Sequence, residues 1–382
     1  MHVSRIAWFA ALASLAPAMA QAQIKVGVVM SQSGAVSSIG IPYVKGIAAF
    51  MAGNTDIAGQ KLQLIQIDDA SDPAAAARAA KKLIEEEHVD VLLGSAGSPA
   101  SLALYGVAAE AHVPVLITAN ALVPGERGAW EITVPQPAPL MVAGDIEHMK
   151  KHGIKTVAFI GYGDAWGDLV YDALIRNAEP AGIKVVANER FARADTSVTP
   201  QVLKIIAARP DAVLTGGSGS PGALPHLALF ERGYRGPVYS SHAIINTEFV
   251  RVGGAAVEGV VAPAGPVVVA DQLPMDNPIR AAGVQFRALY EKANGDKGAE
   301  SFSAYAYDAL ILLSDGAKRA LATGAKPGTP EFRLALRDAL VSTRNVVGTH
   351  AVYNYTPGER YGTDERSRVM VRLEKGMWKL VP

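Results

Sequence analysis

The chain has 382 residues and no cysteine. Disulfides, thiolate catalysis and the lipid-modified cysteine that tethers some exported bacterial proteins are therefore excluded. Net charge is also lacking: 36 lysines and arginines balance 36 aspartates and glutamates, and no basic run stands out. A nucleic acid or an anionic membrane surface thus has no electrostatic basis as a partner. No apolar run reaches the length of a bilayer; the longest leading candidate, Ile6 to Leu15, is too short. What the chain does have is 49% hydrophobic and 19% charged residues over a length that favours two lobes. That composition excludes disordered and fibrous classes and leaves small neutral or singly charged ligands as plausible partners.

The first residues read as an export signal. His2 and Arg5 precede the apolar run, which ends in the small-residue stretch "APAMA". Met1 to Ala20 is the expected signal peptide, with cleavage after Ala20 or, one step later, Ala22. A freely soluble exported protein, monomeric and without cofactor or metal, is the expectation.

After the signal, strand-like runs alternate with amphipathic segments: "IKVGVVM", Ile41 to Ala52, "KLQLIQID", Pro73 to Glu87, "VDVLLG", Pro99 to Ala111 and "VPVLIT". Runs that are apolar on both faces belong to parallel strands covered by helices, so the pattern predicts a doubly wound α/β lobe. Beyond Pro135, Pro137 and Pro139 the alternation restarts with "TVAFIGY" and continues through "IKVVANERF", "DAVLTGG" and "PVYSS". Three later helices, Pro278 to Asn294, Ser303 to Thr323 and Pro330 to Ser342, need a sheet to cover, and "HAVYNY" and "RVMVRLEKGMWKLV" close the chain as strands. The simplest arrangement returns the chain to the first lobe and ends it in the second. The expected lobes are residues 24–140 with 267–344, and 141–266 with 345–382, joined by a hinge of several crossings.

Ligands of such sheets sit at the carboxyl ends of strands. One of these ends, "LLGSAGSPASLA", places Ser98 and Pro99 after Gly97 at the head of a helix pattern. Serine is a favoured cap, proline suits the first helical turn, and the free N–H groups behind them attract anions. Most such turns only start a helix, so this one gains meaning only from its company.

Taken together, "IKVGVVMSQSGAVSSIG", "IQIDDASDPAAAARAAKKLI", "VLLGSAGSPASLA", "VPVLITANA" and "VAFIGYGDAWGDLV" resemble, in order and spacing, the branched-chain amino-acid binding proteins of ABC transporters, the type I periplasmic binding proteins. The resemblance implies two Rossmann-like lobes that close over a small ligand and dock on a membrane permease from the periplasm. It implies ligand contacts from Ser38 and Ile39 in the first loop and from Gly97 and Ser98 at the carboxylate clamp. It adds Thr118, Asn120 and Ala121 in "TANAL", with Leu122 where the family usually has threonine, and Trp166 at a family aromatic position. Where amino-acid-binding members carry a tyrosine and the glutamate that holds the α-ammonium, this chain aligns Ser218 and His242. A desolvated ammonium without an anionic partner loses about 2–5 kcal/mol. An acid without an amine fits better. Aromatic residues near the predicted loops, Tyr43, Tyr105, Tyr162 and Phe191 beside Trp166, favour a benzoate-like or hydroxycinnamate-like acid over a branched-chain or other aliphatic amino or keto acid.

Two other classes stay open. An exported hydrolase would need a nucleophile among Ser98, Ser218 and Ser220, but "GGSGSPG" lacks the glycine spacing of a nucleophile elbow. "GYGDAWG" likewise misses a dinucleotide fingerprint by one residue, and Asp68, Asp69 and Asp72 read as a strand-end turn and a helix cap in preference to a metal site. A sensor on the same fold would report its ligand to a receptor instead of a permease.

Overall fold

A computed structural model describes residues 23–121, 125–298, 300–356 and 358–381, so the expected signal peptide and Leu122 lie outside the described residues. The chain lays down β1 (Gln23–Met30), α1 (Ser37–Met51), β2 (Asp56–Ile57), β3 (Gln60–Asp68), α2 (Pro73–Glu85), β4 (Val91–Gly94), α3 (Ser98–Glu110), β5 (Val115–Ile117) and β6 (Glu131–Thr133). These strands form a sheet in the order β2-β3-β1-β4-β5-β6, parallel apart from the β2–β3 pair.

After α4 (Ala138–Lys151) a second unit follows: β7 (Thr156–Tyr162), α5 (Ala165–Ala178), β8 (Lys184–Phe191), α6 (Thr199–Ala207), β9 (Ala212–Gly216), α7 (Leu224–Glu231), β10 (Val238–Ser240), α8 (Thr247–Gly253) and β11 (Val261–Ala264). Next come α9 (Pro278–Asn294), α10 (Ser301–Ala322), α11 (Pro330–Val341), the hairpin β12 (Val346–Val347) and β13 (Val352–Tyr353), and finally β14 (Val369–Glu374) and β15 (Met377–Val381). The second sheet has the order β15-β14-β11-β10-β9-β7-β8, with β14 and β15 antiparallel at one edge. This is the doubly wound, two-lobed α/β architecture expected of the pattern.

Local chemistry explains the boundaries. Asp72 caps α2 by accepting from the Ala75 N–H at 2.6 Å, ahead of Pro73. Asp68 takes the N–H groups of Gln32, Ser33 and Ala70 and so ties the β1–α1 loop to the end of β3. The acidic cluster is thus a cap and a loop clasp. Helix α9 starts at Pro278 behind the Asn277 cap and ends at Gly295, whose φ of 72° is a left-handed stop that glycine adopts without a steric cost. The central strands β4, β5 and β9 are buried along their whole length, as strands covered on both faces must be.

The late helices return to the first sheet: α9 and α10 pack on α1, and α11 packs on α10. The next segment also stays there. Tyr353 donates to the buried Asp308 carboxylate at 2.9 Å, Tyr355 donates to the Thr133 carbonyl at 2.8 Å, and Tyr361 bridges to Thr133 beside the sheet edge. The last crossing therefore follows Tyr361 and not Asn345, because these tyrosines anchor the hairpin on the α10 and β6 side. Among the described residues no helix is long and apolar enough to cross a membrane.

One seam between the two halves is built around Ser38, Asn246 and Glu300. Ser38 accepts from the Ser220 N–H at 3.1 Å and, through its carbonyl, from the Asn246 side-chain amide at 2.8 Å. Glu300, just ahead of α10, accepts from that same Asn246 amide and from the Thr247 N–H, both at 2.6 Å. Asn246 also caps α8, so one residue joins a helix start to both contacts.

The seam generates a pH dependence. Burial raises the Glu300 carboxyl from its ordinary 4.5 to about 7, against the pull of the hydrogen bonds from Thr247 and Asn246. Between those values the folded chain holds a proton that the unfolded chain has released, so Glu300 costs stability as pH rises through this window. Glu300→Gln does not titrate. Its stability relative to the parent is expected to rise by up to about 3 kcal/mol between roughly pH 4.5 and 8, measured by denaturant unfolding across that range. A flat or falling difference would mean that hydrogen bonding, not burial, dominates at this carboxylate.

Candidate functional site

The carboxyl ends of both sets of parallel strands face each other across a narrow cleft. The first half contributes Ile39 and Tyr43 from α1, Ala96, Gly97 and Ser98 from the β4–α3 turn, and Thr118, Ala119 and Asn120 beyond β5. Pro135 follows β6, and Phe302 and Tyr305 come from the start of α10. The second half contributes Trp166 from α5, Arg193 beyond β8, Ser218 beyond β9, and His242 and Ala243 beyond β10.

The β4–α3 turn is braced from behind. The Ser95 hydroxyl donates to the buried Asp69 carboxylate at 2.5 Å, the Ser95 N–H donates to Ser101 Oγ at 3.0 Å, and the Thr118 hydroxyl donates to the Ser95 carbonyl at 3.0 Å. Gly97 is extended at the cap position and Ser98 opens α3, so the first-turn N–H groups and the positive end of the helix lie at the cleft. Tyr43 donates to the Thr118 carbonyl at 2.5 Å and meets Phe302 edge-on, with ring centroids 5.5 Å apart. A polar turn and an apolar wall are thus fixed to one another.

On the facing half, Asp164 organises two elements at once. One carboxylate oxygen caps α5 by accepting from the N–H groups of Trp166 and Gly167 at 3.0 and 3.2 Å. The other pairs with Arg193 Nε at 2.6 Å. A Cβ at Gly167 would collide with the Tyr162 carbonyl oxygen, so glycine there lets α5 start close against β7. Arg193 also donates to Ser218 Oγ at 2.9 Å and lies over the Tyr162 ring, 4.1 Å from its centroid. The Trp166 indole donates to the Gly217 carbonyl at 3.3 Å and meets His242 edge-on at 5.5 Å.

His242 is buried, and burial lowers its pKa to about 4, so the ring is neutral near pH 7. Its Nε2 lies 3.4 Å from the Asn120 side-chain nitrogen, while Asn120 Oδ1 accepts from the Tyr361 hydroxyl at 3.2 Å. That network assigns the ring proton to Nδ1, a buried donor with no partner among the described residues. Among the described residues of the lining, Arg193 is the one charged side chain, and none is an aspartate or glutamate.

Of the residues singled out from sequence, Ile39, Gly97, Ser98, Thr118, Asn120, Trp166, Ser218 and His242 line the cleft. Ser38 sits beside it in the seam, and Ala121 is packed in the apolar core with α3. Tyr43 forms part of the wall; Tyr105 belongs to the core, and Phe191 packs against Tyr162, which supports Arg193 from behind. Sequence reasoning missed Arg193, although it follows the strand ending at Phe191 and so falls under the strand-end rule. It also missed Phe302 and Tyr305, which reach the cleft from a helix far along the chain and carry no local signal.

Comparisons with known proteins agree with this geometry. A profile of the periplasmic binding protein family matches residues 23–357. An extracellular ligand-binding receptor from Rhodopseudomonas palustris HaA2 is 39% identical, covers 94% of this chain and 100% of its own, and superposes with a TM-score of 0.91. A Leu/Ile/Val-binding protein homolog 3 from Brucella melitensis is 26% identical, with 82% of this chain and 84% of the relative covered. A solute-binding protein of an R. palustris ABC transporter, solved in complex with benzoate, shares the fold at 19% identity and a TM-score of 0.79, covering 94% and 95% of the two chains. The chain belongs to the periplasmic binding protein family, and its fold is that of the type I branched-chain amino-acid binding proteins.

Proposed function

We propose that this protein captures a small aromatic carboxylate, benzoate-like or hydroxycinnamate-like, between its lobes in the periplasm and delivers it to an ABC permease. The observation that carries the reading is the cleft's polarity: a helix start and one cation, with no carboxylate among the described lining residues to hold an ammonium. In this reading the acid group lies on Ser98 and the α3 start, and the ring lies against Trp166 with Tyr43 and Phe302 nearby. His242 offers a neutral Nδ1–H donor. The moving bodies are the two sheets with their helices, the crossings lying near residues 134–138, 264–266 and 361–367. The benzoate-bound relative is consistent with such a ligand on this fold, at a distance that transfers no residue roles.

The competing reading is a branched-chain or other aliphatic amino acid, which the names of several relatives favour. Against it stands His242 where an anionic partner is needed. A hydrolase reading has less support: Nε2 of His242 faces Asn120, not a serine hydroxyl, and no carboxylate orients its ring. A sensing role would use the same cleft and the same closure.

Calorimetry with a panel of acids is expected to give tight binding of benzoate or a hydroxycinnamate and weak or no binding of leucine and valine. Tight leucine binding with no response to aromatic acids would overturn the ligand class. Ser98→Ala removes one charge-assisted hydrogen bond of about 1.5–3 kcal/mol, so affinity for the acid is expected to fall at least tenfold.

Ligand contacts from both halves exist together only when the cleft is closed, so ligand binding shifts the population toward closure. X-ray scattering is expected to show a smaller radius of gyration with saturating ligand. In a variant with Asn246→Ala, which loses the seam contacts to Ser38 and Glu300, the unliganded protein is expected to be more open than the parent. Identical profiles in all states would argue against a moving seam.

A further inference from the structure

We propose that Gln136 is a hinge latch: held between Tyr305 and Ser367, it ties the crossings between the two halves together in the closed state and so sets how readily the cleft opens. This rests on the closing motion proposed above and not on the ligand class. The structure is closed, with Asn120 and His242 3.4 Å apart across the cleft. In it the Gln136 side chain is buried and engaged at both ends. Its oxygen accepts from the Tyr305 hydroxyl at 2.6 Å, and its amide nitrogen donates to the Ser367 carbonyl at 2.8 Å. Gln136 lies on the first crossing and Ser367 at the end of the third, while Tyr305 belongs to α10 on the first half. One buried side chain therefore joins two crossings to a helix.

The middle crossing meets the same group. His350 stacks on the Tyr305 ring at 3.9 Å, and its Nε2 donates to the Ser301 carbonyl at 3.0 Å, so both of its ring contacts are with α10. The Asp308 carboxylate fixes its backbone by accepting from the N–H groups of Thr349 and His350 at 2.7 and 3.0 Å. A Cβ at Gly265 would collide with His350 Nδ1, so the second crossing passes directly against this ring, which the missing side chain permits. All three crossings thus bear on the Tyr305–His350 pair, and Tyr305 also lines the cleft.

The chemistry gives the latch a direction. Hydrogen bonds between crossings last only while the crossings keep their spacing, and a rotation of the halves changes it. Without the Gln136 amide, the Tyr305 hydroxyl and the Ser367 carbonyl are left buried without that partner in the closed state, whereas opening the cleft brings water to Tyr305. Losing the amide therefore penalises the closed state more than the open one. Gln136 is not among the described lining residues, so it is a positioning residue that acts on binding through the hinge.

Pulsed EPR distances on the unliganded protein test this. The chain has no cysteine, so Ala35→Cys and Thr196→Cys, both exposed and one in a strand-end loop of each half, take spin labels without competition. In this background Gln136→Leu is expected to lower the ratio of short-distance to long-distance populations about fivefold or more. Tyr305→Phe keeps the ring on His350 but removes one hydrogen bond, and is expected to shift the ratio less, in the same direction. Thermal unfolding checks that each variant folds; should Gln136→Leu fail to fold, Tyr305→Phe decides alone. Asn246→Ala, which loosens the seam and leaves the crossings intact, is the control. If Asn246→Ala lengthens the distances while Gln136→Leu and Tyr305→Phe leave them unchanged, however far these lower the unfolding temperature, the glutamine is only structural and this inference alone falls. A shift toward shorter distances in Gln136→Leu also overturns it. Distances unchanged in every variant remove the closing motion and this inference with it.

Discussion

In both sheets the central strands run parallel, so every strand's carboxyl end, and the loop that leaves it, falls on one edge. The whole cleft depends on this constraint. It gathers residues as distant in sequence as Ser98, Thr118, Arg193, Ser218 and His242 without any of them needing a special local conformation. It also places the start of each following helix at the same edge, which gives the cleft its supply of unpaired N–H groups. An antiparallel sheet of the same composition would scatter these loops over two edges.

Buried or half-buried carboxylates then do the fixing. Asp69 braces the β4–α3 turn through Ser95, Asp164 joins the α5 cap to Arg193, Glu300 joins α10 to α8 across the seam, and Asp308 holds the segment between α11 and β14. Each accepts several N–H or O–H donors, which is the condition under which burying such a group is tolerable. The carboxylates stand behind the cleft and not in it. The described lining is thereby left with aromatic walls, hydroxyls, one amide and one guanidinium, which is the basis for proposing an acid without an amine as ligand.

The resemblance in sequence and the family profile agree on the fold, while the relatives' names pull toward amino acids and the cleft pulls toward acids without an amine. The disagreement has a physical source. Fold is carried by dozens of buried positions that tolerate apolar exchange, such as the wholly buried β4, β5 and β9. Ligand class turns on a few lining side chains: in the proposed reading, a neutral histidine where an acidic residue is expected removes the partner that an ammonium needs. Identity of about a quarter preserves the first and says little about the second.

The sequence by itself determined the alternation of strands and helices, the restart after the prolines, the helix start at Ser98 and the limits of α9, because each is written in neighbouring residues: apolar runs, an Asn or Asp cap, a proline in the first turn, a glycine stop. Only the tertiary structure decided that Arg193, Phe302 and Tyr305 enter the cleft, that Ala121 turns into the core, and that Ser38 serves the seam and not the lining. It also decided where the chain last crosses between the sheets, since Tyr353 and Tyr355 find their partners in Asp308 and Thr133, far away along the chain. Such pairings are set by which helix returns to which sheet. No periodicity or spacing near those residues encodes that choice.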